Sequence, residues 1–201
     1  MKSFKIAVFI FIEVAIVSCS QPGKKVFIMS SGKITSDEKD QKSIRLEPGS
    51  THNEKEIILT GGDKETLSVQ SPAGNKTFEI GETGNYVLNL KPDTLVGGIV
   101  NYGSGARTSN LTGEDVDHII DSTQKLILGQ NANDANKSYF ILPFTIKKLS
   151  SSLESKIVGP YNGIPASVDA GNSGKLPEVY KFYTNKQKRE AVETLIRERK
   201  K

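Results

Sequence analysis

The chain has 201 residues, 36% of them hydrophobic and 25% charged, proportions of a folded globular protein that exclude a disordered or fibrous one. Its formal charge is +4 and its pI about 9.0, but residues 186–201 hold seven Lys/Arg against three Glu, so the body lacks the broad basic field of a nucleic-acid-binding protein. The single cysteine, Cys19, excludes an intramolecular disulfide, a thiolate zinc cluster and any cysteine nucleophile elsewhere in the chain.

The first element is an address. Lys2 and Lys5 precede an apolar run, Ile6 to Val17, too short for a permanent membrane span and shaped like the core of a signal peptide. Glu13 within it costs about 2.5–3.5 kcal/mol on insertion scales, which the neighbouring Phe and Ile residues offset. Ile16-Val17-Ser18-Cys19 resembles the lipobox of bacterial lipoproteins, and the resemblance covers the first twenty residues. It implies that residues 1–18 are removed, that the Cys19 thiol takes a diacylglyceryl group, and that Cys19 becomes the acylated N-terminus. At about 0.8 kcal/mol per buried CH₂, two or three acyl chains hold durably where one does not. Ser20, rather than Asp, follows the cysteine, which resembles lipoproteins delivered to an outer membrane. Ser18 and Ser20 equally satisfy an ordinary secretory signal cut after Ser20, so two processing routes stand. Residues 19–25 read as a tether.

Residues 26–105 read as a β-sandwich domain. Short apolar runs with period-2 alternation predict strands at Val26–Ser30, Ser43–Leu46, Glu56–Thr60, Thr66–Gln70, Thr77–Ile80, Tyr86–Leu90 and Leu95–Asn101, separated by turn clusters such as Pro72-Ala-Gly-Asn75. Seven strands at this spacing predict an antiparallel sandwich. Gly84-Asn85-Tyr86 resembles the Gly-x-Tyr strand start of immunoglobulin-like domains, which implies a glycine turn and a tyrosine entering the core with its hydroxyl at the edge.

Residues 106–201 change texture. Thr112 is placed to cap a helix, with Asp115 in the capping-box position and Gly129 as the stop. Val116, Ile119, Ile120, Thr123, Leu126 and Ile127 give it one apolar face, expected to cover a sheet or one end of the sandwich. Strands follow at Ser138–Leu142, Phe144–Leu149 and Lys156–Val158, then an extended loop from Gly159 to Lys175. Pro177 to Tyr183 leads into a last helix capped by Thr184 or Asn185, with Ala191, Val192, Leu195 and Ile196 as its stripe. The fold class expected is therefore mainly β (α+β), a sandwich followed by a helix, extra strands and a basic C-terminal helix.

Few residues suggest chemistry. The two histidines, His52 and His118, exclude a three-imidazole site. Glu114, Asp115 and Asp121 lie within a helical turn of His118, where a metal is conceivable, but exposed acids in a first turn serve the helix dipole as well. Gly103-Ser-Gly105 has the order of a phosphate loop without its third glycine. Asn131 to Asn136 has oxygen ligands at calcium-loop spacing without the bend glycine or the closing glutamate. Asp121-Ser-Thr123 and Asp93-Thr-Leu95 resemble the acceptor motif of O-glycosylated exported proteins in Bacteroidetes-type bacteria. No Gly-x-Ser-x-Gly or Ser-x-x-Lys motif is present. The expectation is an envelope lipoprotein, resembling those of Bacteroidetes-type bacteria, that meets the membrane through Cys19, needs no cofactor, metal or nucleic acid, and acts as a non-enzymatic interaction or structural module toward an envelope partner. A calcium- or carbohydrate-binding surface module, and an envelope hydrolase drawing on His118 or the Gly159–Lys175 loop, are the alternatives.

Overall fold

The computed structural model describes residues 23–36, 41–102, 112–170 and 174–199. Among these the elements run β1 (Lys24–Ser31), β2 (Ile34–Ser36), β3 (Ser43–Leu46), β4 (His52–Leu59), β5 (Glu65–Ser71), β6 (Gly74–Ile80), β7 (Gly84–Leu90), β8 (Leu95–Ile99), α1 (Gly113–Ile127), β9 (Ser138–Ile141), β10 (Thr145–Ser150), β11 (Lys156–Val158), β12 (Val179–Thr184) and α2 (Asn185–Arg199). The fold is mainly β, a sandwich with helices appended, as the sequence predicts.

Three four-stranded sheets are present: β10-β7-β1-β4, β2-β3-β5-β6 and β11-β12-β8-β9. The first is the middle layer, and the reason lies in β1 and β7. A strand covered on one face alternates apolar with polar, whereas one covered on both reads as a nearly continuous apolar run, as Val26–Met29 and Tyr86–Leu88 do. Val26, Ile28, Tyr86, Leu88 and Leu90 face Ile44, Leu67, Val69, Phe78 and Ile80 of the second sheet. Met29 and Val87 face the opposite way, toward Leu95, Tyr139, Ile141, Tyr180 and Phe182 of the third. All seven residues of β7 are buried, and each large apolar side chain among them contributes about 1.5–3 kcal/mol.

The pairing is antiparallel-rich with parallel exceptions. β1 runs antiparallel to β4 and parallel to β7, and the pairs β3/β5 and β11/β12 are also parallel. Ser31 lies opposite His52, and Ser30 opposite Leu90. That register gathers the end of β1, the start of β4 and the end of β7 at one edge of the middle sheet.

The Gly-x-Tyr expectation holds. Gly84 has φ +146°, and a Cβ there would sit 2.2 Å from the Ser150 carbonyl oxygen, so only glycine lets β10 approach. Tyr86 is buried, and its hydroxyl donates to the Glu82 carbonyl at 2.6 Å, the return bond of a tyrosine corner.

Two strands escape sequence reading. β2 is only three residues long, and β12 is hidden because Lys181, between Tyr180 and Phe182, is itself 5% exposed and breaks the polar-out alternation. α1 starts at Thr112 with the reciprocal Asp115 bonds of a capping box. Its apolar stripe, expected to cover a sheet or one end of the sandwich, packs chiefly on α2 with a smaller contact to β9, and Ile127 is its one buried residue. Thr184 caps α2: its hydroxyl accepts from the Gln187 amide at 3.2 Å while its own amide donates to the Gln187 side chain at 2.9 Å.

Candidate functional site

The edge where β1, β4 and β7 end carries a convergent polar cluster. Asn89, fully buried on β7, builds it. Its amide nitrogen donates to the carbonyls of Asp93, Ile141 and Leu142 at 2.9, 3.0 and 3.2 Å, and its oxygen accepts from the Lys91 amide at 3.0 Å. These bonds fold the short turn Lys91-Pro92-Asp93-Thr94 back on the sheet. Asp93 then docks the turn on α2, one carboxylate oxygen taking the Thr94 amide at 2.8 Å and the other the Lys186 amide at 3.1 Å. It thereby satisfies a first-turn donor of the helix.

The turn drives Lys91 inward. Its ammonium donates to the Ser30 carbonyl and to His52 Nδ1, each at 3.1 Å. A lysine ammonium only donates, so His52 Nδ1 must accept, and the ring proton sits on Nε2. That nitrogen lies 2.6 Å from Glu54 Oε1, to which it donates. The other Glu54 oxygen accepts from the Asn162 amide group at 2.9 Å. A directed chain thus runs from cation to anion, Lys91 to neutral His52 to Glu54, with Asn162 donating to the same carboxylate from the other side. Burial pushes the Lys91 ammonium below its usual pKa, against the opposing pull of Asp93 and Glu54.

The loop after β11 closes the site. Lys181 on β12 clamps it by donating to the carbonyls of Gly159 and Asn162 at 2.5 and 2.6 Å. Gly159 leaves room for the Glu54 carboxylate, since a Cβ there would fall 1.8 Å from Glu54 Oε1 and push that group aside. Tyr161, between the clamped residues, is held at φ +71°, a left-handed conformation costly for a bulky residue. It is 67% exposed, with its ring centroid 5.3 Å from that of His52. A cavity of about 400 Å³ opens here, lined by His52, Lys91, Asp93, Tyr161 and Lys186 with Ser31, Ser50 and Thr184. That is the size of small-ligand sites.

The residues singled out by sequence lie elsewhere. Asp115 is spent on the Thr112 cap, Asp121 pairs with Lys125, and the neighbouring Asp117 pairs with Arg199 of α2, while His118 and Glu114 are exposed. Asp134 in the Asn131–Asn136 loop pairs with Lys147, and Asn133 accepts from the Asn136 amide. Among the described residues no group of three His, Cys, Asp or Glu is placed to hold a metal ion. Of the glycosylation-like motifs, Asp93 is committed to the turn described above, and the Ser122 hydroxyl donates to the Ile119 carbonyl. Cys19, Gly103 and Gly105 lie outside the described residues. The Gly159–Lys175 loop does reach a cavity, but with His52 rather than His118.

Sequence reasoning missed His52, Glu54, Lys91 and Tyr161 as a group. His52-x-Glu54 on one strand places both on the same face, the only local hint. No family model, curated protein or solved structure matches the chain, and no helix among the described residues is long and apolar enough to cross a membrane.

Proposed function

We propose that this chain is an exported lipoprotein, held at the cell envelope by acyl chains on Cys19, and that its β body is a non-enzymatic binding module working through the His52–Lys91 cavity. The lipobox-like sequence around Cys19 supports the anchor. One observation carries the second part: both ring nitrogens of His52 and both oxygens of Glu54 are engaged within the cluster. An imidazole that already accepts from an ammonium and donates to a carboxylate has no lone pair left to activate a hydroxyl or a water. No serine among the described residues bonds to it. What the cavity presents outward is a cation and an aromatic ring, which are tools of recognition.

The test pairs intact mass with membrane partition, comparing the expressed chain with a Cys19→Ala variant. A diacylglyceryl mass increment, lost together with membrane association in the variant, is the expected result. An unmodified soluble chain cut after Ser20 would remove the anchor from the proposal. Turnover of envelope glycans or peptides by purified protein, lost in His52→Ala, would remove the non-enzymatic reading.

A further inference from the structure

We infer that the His52–Lys91 cavity takes an acidic saccharide, its anionic group set against Lys91 and Lys186 and its ring laid on Tyr161. The inference rests on reading the cavity as a binding site.

The cation at the back of the cavity has no carboxylate in direct contact, Asp93 and Glu54 acting on it only from a distance. Lys91 is 5% exposed, and its two hydrogen-bond acceptors among the described residues, the Ser30 carbonyl and His52 Nδ1, are both neutral. No carboxylate among the described residues forms an ion pair with it. A buried ammonium is kept where it meets a counter-charge. The two nearest candidates are committed, Glu54 to His52 and Asn162, and Asp93 to two backbone amides. An ammonium has three protons, so one donor remains for whatever occupies the cavity that Lys91 lines. Lys186 adds a second cation on the same wall, its one ion-pair partner among the described residues, Glu190, standing 3.9 Å away.

A simple anion would need nothing more, yet the cavity offers more. Tyr161 is a large exposed aromatic in a conformation that favours glycine, and such strain persists where surrounding structure enforces it, commonly at ligand clamps. Here Lys181 enforces it from both sides. The exposed ring gives a flat apolar surface suited to the C–H face of a sugar. Ser31 and Ser50, which line the cavity, and the unused lone pairs of Asp93 match sugar hydroxyls as donors and acceptors.

Calorimetric titration of the full chain in detergent distinguishes the possibilities. The probes are a glucuronate-containing disaccharide, its glucose counterpart, a sulfated disaccharide and inorganic sulfate. The acidic disaccharides are expected to bind at least tenfold more tightly than the neutral one and than inorganic sulfate, the carboxylated and sulfated arms showing which anionic group is preferred. Lys186→Ala and Tyr161→Ala, both surface changes, should each weaken binding at least fivefold, and Lys91→Met should abolish it. Equal affinity for the neutral disaccharide, or inorganic sulfate binding as tightly as the saccharides, would overturn the inference. Absence of binding without hydrolysis would sink the ligand assignment alone. Hydrolysis of a probe would instead sink the reading of the cavity as non-catalytic.

Discussion

Asn89→Ala tests whether one buried amide holds the site to the fold. The side chain is fully buried and makes four hydrogen bonds, three to carbonyls and one from the Lys91 amide. Each such bond contributes about 0.5–1.5 kcal/mol net, and a buried group left orphaned costs about 1–3 kcal/mol. The Ile141 carbonyl and the Lys91 amide are the buried ones, while the bonds to Asp93 and Leu142 are partly buried and accessible to water. The expected loss is therefore about 3–5 kcal/mol rather than the full sum of orphan penalties. With a urea m-value of about 2–3 kcal/mol/M for a chain of this size, the unfolding midpoint should fall by about 1–2.5 M. Urea titration followed by far-UV circular dichroism measures it, with exposed Asn75→Ala as a control expected within about 0.5 kcal/mol of the parent. A loss below about 1 kcal/mol for Asn89→Ala would refute the reasoning, because the turn Lys91–Thr94 would then be held by something other than this amide.

Three further outcomes follow from the geometry. Tyr161→Gly should raise stability by up to about 1 kcal/mol, since glycine carries no penalty at φ +71°, and a thermal melt showing a loss of that size would contradict the strain argument. Gly159→Ala should destabilise by about 1–3 kcal/mol and free the His52 ring, because its Cβ displaces the Glu54 carboxylate; the His52 proton resonances report this directly, and an unmoved spectrum would count against it. Burial pushes Glu178 upward, but its bonds from Lys137, Ser150 and Tyr180 outweigh that and hold its carboxyl below its ordinary value of 4.5. A carboxylate depressed in the folded state stabilises above its unfolded pKa and loses that contribution as the pH falls through the folded one. The stability gap between the parent and Glu178→Gln should thus be full above about pH 4.5 and shrink below it; a gap that widens on acidification would reverse the sign and defeat the argument.

The sequence by itself determined the elements whose cause is local. Thr112 and Asp115 announce α1 because a capping box is made by residues three apart, and Gly84-Asn85-Tyr86 announces β7 because its turn and its core tyrosine are adjacent. Alternation located the strands of the sandwich, since period 2 is a property of one strand at a time. Which sheet each strand joins is a different matter. Val26–Met29 and Tyr86–Leu88 are apolar on both faces, but only the tertiary structure supplies the third sheet that covers the second face, and β12 stays hidden until Lys181 is seen to be buried by the loop it clamps. The partner of α1 was likewise decided at a distance: its apolar stripe meets α2, where Asp117 also pairs with Arg199 across 82 positions. The site is the extreme case. His52, Lys91 and Tyr161 come from three separate stretches, and Glu54, two residues after His52, is the one neighbour in sequence that hints at a role. They meet because the register of β1 against β4 and β7 brings three strand ends to one edge, and because a buried asparagine, a glycine and a lysine hold the turns there. Hydrophobic pattern and capping are read along the chain, whereas a buried cation with no carboxylate in direct contact exists only once the chain has folded around it.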